Sequence, residues 1–426
     1  MSFAKTDSIP LTASAHRSSF FRQSGWLMIA NIGGGALMWA VHFLNRFLPT
    51  GQYGGFGVFL AFLMLLPNIP LQMVLTQQTA RGLAHNTQRE LSGIIRTFLI
   101  AAGVIWLVGA IIIFCFQKDI LAYLKMTDPT GLWITAFIVL FALWLPMFWG
   151  MLQGQQNFLW LGWTMMTNGL GRLSVAAIAV IAFRAGAAGM MSGVLLGYVI
   201  AVGFAAWQTR SLWLASPQSF DWRGLLRQVV PLLIAFVGFQ ILFTADTILV
   251  KNYFSEAEED FYVGAGTLSR ALLWLVLPLA SVMFPRLVHS AAKSEKSNLM
   301  GMVLLGTAVL SILGSLSLSF LGPFVAPLVY KNTAAQVSSL LPWYSAAMVP
   351  LALSNVLLNQ LLSRPDSKWM LAIFVLIAAI GYLFAITQFH ASLIMVLKVM
   401  GIANVVLLAI CAGFFRFGKA KAEVAL

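Results

Sequence analysis

Long apolar runs, separated by short polar turns, occupy almost the whole chain. Twelve of them reach spanning length: Gly25–Asn45, Tyr53–Leu75, Gly93–Phe116, Leu132–Leu152, Phe158–Phe183, Ala187–Gln208, Val229–Val250, Phe261–Pro285, Leu299–Gly322, Val337–Leu362, Trp369–Gln388 and Ser392–Phe415. A helix needs roughly 20 apolar residues to cross about 30 Å of hydrocarbon. Only helices and closed barrels satisfy their backbone there, and barrel strands read as short alternating segments. These runs are continuous, so they predict helices. The fold class is an all-α integral membrane protein with about twelve transmembrane helices. Proline inside several runs agrees with this, because neighbouring helices re-satisfy the freed carbonyls.

The polar segments between the runs are short. The longest fall at 76–92, 117–131 and 210–227. None is large enough to bury a core of its own. The polar segment 211–228 divides the runs six and six. The expected organisation is a cytoplasmic segment over 1–24, a six-helix bundle over 25–210, a cytoplasmic linker over 211–228, a second six-helix bundle over 229–415 and a cytoplasmic tail over 416–426. A faint internal similarity supports two halves. Arg46, Tyr53, a glycine-rich helix, Pro67, Pro70 and Arg81 in the first half parallel Lys251, Tyr262, Gly264, Gly266, Pro278, Pro285 and Arg286 in the second. Six spans per half imply parallel repeats, related by a pseudo-two-fold axis along the membrane normal. Paired halves of this kind are a transporter architecture with a site near the midplane.

Composition sharpens the class. The chain is 60% hydrophobic and 9% charged, with a mean hydropathy of +0.87. Of its 26 Lys and Arg, 17 fall on the side that holds both termini, with Arg96 at the edge of the third run counted among them, six on the other side and three deeper inside spans. Cytoplasmic loops carry the excess of basic residues, so both termini are expected in the cytoplasm. The formal charge of +13 is scattered among loops rather than gathered on one face, which argues against a nucleic-acid partner and for contact with anionic lipid. The first 25 residues are polar and the first run is too long for a signal peptide. Cys115 and Cys411 both fall inside spans and read as small buried hydrophobes.

Charged residues inside the spans carry the functional signal. Arg172, Arg270 and Lys398 are basic, and Asp246 is the one acid. A basic side chain at the bilayer centre costs about 2.5–3.5 kcal/mol on insertion scales, so it faces a bundle interior or a wet cavity, pairs, or snorkels. Lys398 is near enough to a boundary to snorkel. Asp246 either pairs with Arg172 or Arg270 or serves as a cation-coupling carboxylate. Asn31, Gly35, Met38, His42 and Asn45 share one helical face of the first span, with Arg46 beside its end. Helix packing through Gly33, Gly34 and Gly35 explains the glycines, but not His42 and Arg46. Gln240, Thr244, Thr247 and Lys251 form a second stripe beside Asp246. Asn355, Asn359 and Gln360 either line the same cavity or bond between helices. Three bases against one acid point to an anionic substrate.

Several chemistries are missing. There is no Walker loop, no HExxH and no supported Ser-His-Asp order. Gly264-Ala-Gly266 lacks the third glycine of a dinucleotide fingerprint and lies in a membrane helix. No enzyme activity, cofactor or metal is expected.

Four segments carry a resemblance. They are Asn45-Arg46 with Gly51-Gln52-Tyr53-Gly54, then Leu152 through Phe158 (LQGQQNF), then Asp246 to Lys251 with Phe261-Tyr262, and finally Phe284-Pro285-Arg286-Leu287. With them the chain resembles the lipid-linked oligosaccharide flippases, the polysaccharide-transport branch of the multidrug/oligosaccharidyl-lipid/polysaccharide exporter superfamily. The resemblance covers nearly the whole chain. It implies a V-shaped pair of bundles and alternating access. The implied cargo is an undecaprenyl-diphosphate-linked oligosaccharide, moved from the cytoplasmic to the periplasmic leaflet of a bacterial inner membrane for surface polysaccharide biosynthesis. Family members often place cationic residues in the cavity, which makes Arg46, Arg172, Arg270 and Lys398 the substrate-binding candidates, with Asn31 and His42 beside them. Asp246 is the coupling or ion-pair candidate. Implied partners are the lipid-linked glycan, membrane lipids, and polysaccharide polymerase and co-polymerase proteins. Two rivals stand beside this reading: a cation-coupled multidrug exporter of the same fold, and a non-transporting membrane subunit of an exopolysaccharide assembly machine.

Overall fold

The computed structural model describes residues 13–292, 299–330, 333–362 and 368–424, with side chains described over 25–275, 300–330, 333–362 and 368–416. The described regular structure is helical. The first half contains α1 (Ala13–Ala40), α2 (Gln52–Met64), α3 (Asn68–Ala84), α4 (Gln88–Cys115), α5 (Gln117–Tyr123), α6 (Thr130–Gly154), α7 (Phe158–Ala177), α8 (Gly186–Gln208) and the short α9 (Arg210–Trp213). The second contains α10 (Trp222–Tyr253), α11 (Glu256–Ala292), α12 (Leu299–Val329), α13 (Ala334–Leu362), α14 (Lys368–Gln388) and α15 (Leu393–Val424). Among the described residues, 11 helical segments are long and apolar enough to cross a membrane. The remaining expected run, Phe261–Pro285, lies within α11. The motif Phe284–Leu287 lies outside the residues whose side chains are described.

The helices depart from the hydropathy pattern in ways that have local causes. The second run is two helices, broken at Leu65–Pro67. Proline lacks an N–H donor and disfavours helical geometry in the residue before it, and Pro67 itself sits outside the helical region with φ −79° and ψ 63°. The first run tightens into a 3-10 helix over Val41–Phe47. The fifth ends in a π-helical turn over Ile178–Ala182. Helix α10 begins at Trp222, before the expected Val229, because the Asp221 carboxylate accepts the Gly224 N–H at 3.0 Å and caps it. The expected loop over 76–92 is mostly helix, with α3 running to Ala84 and α4 starting at Gln88.

Each half packs on itself. Helix α7 lies on α1 and α8, and α6 on α3 and α8; in the second half α13 lies on α11, α12 and α15, and α10 on α14. Outward faces are apolar: Ile105, Phe114, Phe320 and Phe324 are each more than 65% exposed, the inverse of a soluble protein. With lipid outside, close packing rather than the hydrophobic effect holds helices together, and small residues permit it. Gly193 and Gly197 of α8 lie so close to the α7 backbone that a Cβ would meet the carbonyl oxygens of Arg172 and Asn168. That contact fixes where Arg172 sits. The halves meet chiefly where α2 packs against α10 and α11.

Candidate functional site

The intramembrane charges fall into three separate places. In the second half, Arg270 and Asp246 form an ion pair of 2.8 Å. The same guanidinium donates to Thr247 Oγ1 and, through Nε, to the Phe243 carbonyl, both at 2.9 Å. The hydroxyls of Tyr262 and Tyr344 donate to Asp246 Oδ2 at 2.8 and 2.7 Å. Every member of this cluster is buried. A buried pair needs such extra hydrogen bonds, since desolvation otherwise outweighs the Coulomb gain. The arrangement neutralises Arg270 within its own half.

Arg172 in α7 has no such partner. It joins neither of the two ion pairs formed among the described residues. Its Nε is buried without a hydrogen-bond partner. The guanidinium lies 6.0 Å from the centre of the Phe56 ring. His42 packs on that same ring, with centroids 5.8 Å apart. His42 Nδ1 is 2.8 Å from Tyr53 Oη, which reaches Tyr330 Oη at 3.0 Å and Thr267 Oγ1 at 3.3 Å in the second half. Arg172 and His42 thus lie against the same ring in the first half, and His42 is joined to the second half through Tyr53.

The other predicted residues lie apart. Arg46 is exposed and donates to the carbonyl oxygens of Pro327 and Leu328. Lys398 is exposed over the Trp343 ring, 5.3 Å from its centre. Asn31 is exposed while His42 is buried, so the expected polar stripe of the first span is not one surface. His42 packs inward on Tyr53 and Phe56 of α2, whereas Asn31 lies on an exposed part of α1. In the second stripe, Lys251 is buried and bonded to Glu259 at 2.6 Å rather than free in a loop. Asn359 donates to Asn355 one turn earlier in α13.

A second set of polar residues lines the seam between the halves. The N–H groups of Gly51 and Gly54 donate to the two oxygens of Asp260, each at 2.6 Å. Lys125 donates to the Phe254 carbonyl at 3.2 Å. Glu259 lies beside Asp260, outside the apolar run, and is 1% exposed. Burial, opposed by Lys251, pushes the Glu259 carboxyl up to about 7. Burial also raises Asp260, against the lowering effect of its two backbone hydrogen bonds. Asp260 and Glu259 were not among the residues that hydropathy singles out. Their signal was density: four of the chain's 13 acids fall within residues 256–260, immediately before a span. Among the described residues no group of three or more His, Cys, Asp or Glu gathers to hold a metal ion.

Comparison with known proteins fixes the class. The chain superposes on a multidrug resistance MATE family transporter of the MOP superfamily in its inward-facing conformation, with a TM-score of 0.69 at 12% identity over 94% of this chain and 98% of that one. It superposes on the lipid II flippase MurJ in an inward closed conformation with a TM-score of 0.67, at 14% identity over 92% and 86% of the two chains. The eukaryotic MATE transporter AtDTX14 gives a TM-score of 0.69 at 13% identity, covering 92% and 95%. The fold is the one these solved structures share. The profile of the polysaccharide biosynthesis protein family matches residues 20–291, and the chain belongs to that family. No curated protein sequence matches it.

Proposed function

We propose that this protein is a flippase for an undecaprenyl-diphosphate-linked oligosaccharide. It moves its cargo from the cytoplasmic to the periplasmic leaflet by alternating access of two six-helix halves, 25–210 and 229–415, for surface polysaccharide biosynthesis. In this reading the protein sits in a bacterial inner membrane, with both termini and the 211–228 linker in the cytoplasm. The family supports the glycan, and the fold shared with a lipid II flippase supports the lipid carrier.

The observation that carries the reading is the unpaired guanidinium of Arg172. Of the three basic residues inside spans, Arg270 is neutralised by Asp246 and Lys398 is exposed. Arg172 brings positive charge to the middle of a span of the first half with no ion-pair partner among the described residues. A diphosphate accepts charge-assisted hydrogen bonds from arginine in a bidentate arrangement, which would satisfy the orphaned Nε. The polyprenyl tail stays in lipid, and the sugars occupy the wet space between the halves. The multidrug-exporter alternative loses ground at Asp246, the natural cation-coupling residue, because Arg270, Tyr262 and Tyr344 already occupy its carboxylate.

The test is a deletion in the native host, complemented with wild type and with Arg172→Ala, and mass analysis of undecaprenyl-linked glycans. Accumulation of one lipid-linked oligosaccharide with loss of surface glycan is the expected result, reversed by wild type alone. Intact surface glycan in the deletion strain would overturn the assignment.

A further inference from the structure

The seam between the halves is held by two contacts of opposite sign, each joining a side chain of one half to a helix end of the other. Asp260, at the start of the second turn of α11, accepts the N–H groups of Gly51 and Gly54 at the start of α2, both at 2.6 Å. Arg46, next to the last residue of the 3-10 helix, donates to the carbonyls of Pro327 and Leu328 in the last turn of α12. Helix N-termini carry unsatisfied N–H groups and partial positive charge, and C-termini carry unsatisfied carbonyls and partial negative charge. The carboxylate therefore meets the positive end and the guanidinium the negative end. The start of α2 has no side-chain cap from its own half, since Gly51 carries no side chain.

The backbone is shaped for the contact. Gly51 has φ +82°, which places its N–H toward Asp260, and an added Cβ there would lie 2.6 Å from Glu256 Oε2. A Cβ on Gly54 or Gly57 would collide with Glu259 or Val263 of α11. Between the two anchors Tyr53 bonds to Tyr330 and Thr267. Among the described residues, the hydrogen bonds that join the halves gather at this end of the molecule, which also holds the turns at Phe254–Ser255 and Tyr330.

We infer that reciprocal capping of α2 by Asp260 and of α12 by Arg46 is the latch that keeps this end of the transporter shut. The inference rests on the alternating-access reading above and assigns one of its gates to named residues. Opening the seam strips both helix ends of their caps at once, leaving two N–H groups and two carbonyls for water. Arg46, expected from the sequence to bind substrate, acts here on the protein itself.

The test reads conformation, not cargo, so it stands whether or not the glycan assay succeeds. The full-length protein carries Cys115→Ala and Cys411→Ala, with one reporter, Thr267→Cys, at the seam. The labelling rate by a charged maleimide is measured in membrane vesicles. Asp260→Asn and Arg46→Gln are each expected to raise it about tenfold, the scale of one lost charge-assisted hydrogen bond. Glu258→Gln, two residues earlier in the same helix and a partner of Ser255 rather than of either cap, is expected to leave it unchanged. A second reporter, Ser345→Cys, is buried inside the second half and reports unfolding. An unchanged rate at position 267 in both variants overturns the latch. So does an equal gain at both reporters, which would mean general loosening.

Discussion

Asp246 and Arg270 lie 24 residues apart on neighbouring helices and meet at 2.8 Å inside the second half, with no exposure at the carboxylate. Removing one partner of such a pair strands a buried charge. Asp246→Ala is expected to cost about 3–5 kcal/mol, visible as a lowered unfolding midpoint of the purified protein in detergent. Asp246→Asn combined with Arg270→Met is expected to recover most of that loss, because neither product is charged. Equal midpoints for wild type and Asp246→Ala would show that the pair does not hold the second half together.

Arg172 makes the opposite prediction. Its charge has no carboxylate partner to lose, so Arg172→Gln is expected to keep or slightly raise the unfolding midpoint. Transport is expected to fall at least about tenfold, the loss of one charge-assisted contact to a diphosphate. Surface glycan restored to wild-type level by this variant, at normal protein abundance, would remove Arg172 from the transport path.

Gly57 of α2 packs directly on Val263 of α11, across the seam. Valine is stiff at χ1 and cannot swing away. Gly57→Ala is expected to wedge the halves apart at a cost of about 1–3 kcal/mol in the closed state. Cysteine reporters at the seam would show faster labelling, while helix content by circular dichroism stays constant. Labelling as slow as in wild type would mean that the seam yields without opening.

Glu259 should give the protein a pH signature. Its carboxyl is pushed up to about 7 by burial, from an ordinary value near 4.5 in the unfolded chain. The folded state therefore binds the proton more tightly. The stabilisation from this group is fully present below about 4.5 and is lost as pH rises through about 7. Between those values wild-type stability is expected to fall with pH, and Glu259→Gln is expected to flatten that slope. Unfolding midpoints taken from pH 5 to 8 decide it; parallel curves would count against the assignment.

The helices were legible in the sequence because lipid imposes a one-dimensional rule: each span must be long and apolar whatever its neighbours do. The break at Pro67 was implicit in the proline pair Pro67 and Pro70, although a single continuous run was expected. The switch to a 3-10 helix at Val41–Phe47 left no mark in hydropathy. Asn31 and His42, which a 3.6-residue period had placed on one face, differ in burial because His42 packs on Tyr53 and Phe56 of α2. The seam residues were obscured for another reason. Glu259 and Asp260 read as a polar turn, since nothing local shows that α2 of the other half covers them.

The sequence by itself determined the membrane class, the order of the long apolar helices, and which few residues carry charge into them. Tertiary structure alone decided the partners of those charges. Asp246 was open to Arg172 or Arg270, and it is Arg270 that reaches it. Lys251 counted as a loop cation until the fold buried it against Glu259. Arg46, a cavity candidate, donates to carbonyls at the end of a helix in the opposite half. The physical reason is that hydropathy is a property of each residue against its solvent, whereas pairing depends on how each helix is rotated and how closely it approaches the next. Those distances are set by contacts such as Gly197 against Asn168 and Gly57 against Val263, where the absence of a single methyl group decides how near two helices can come.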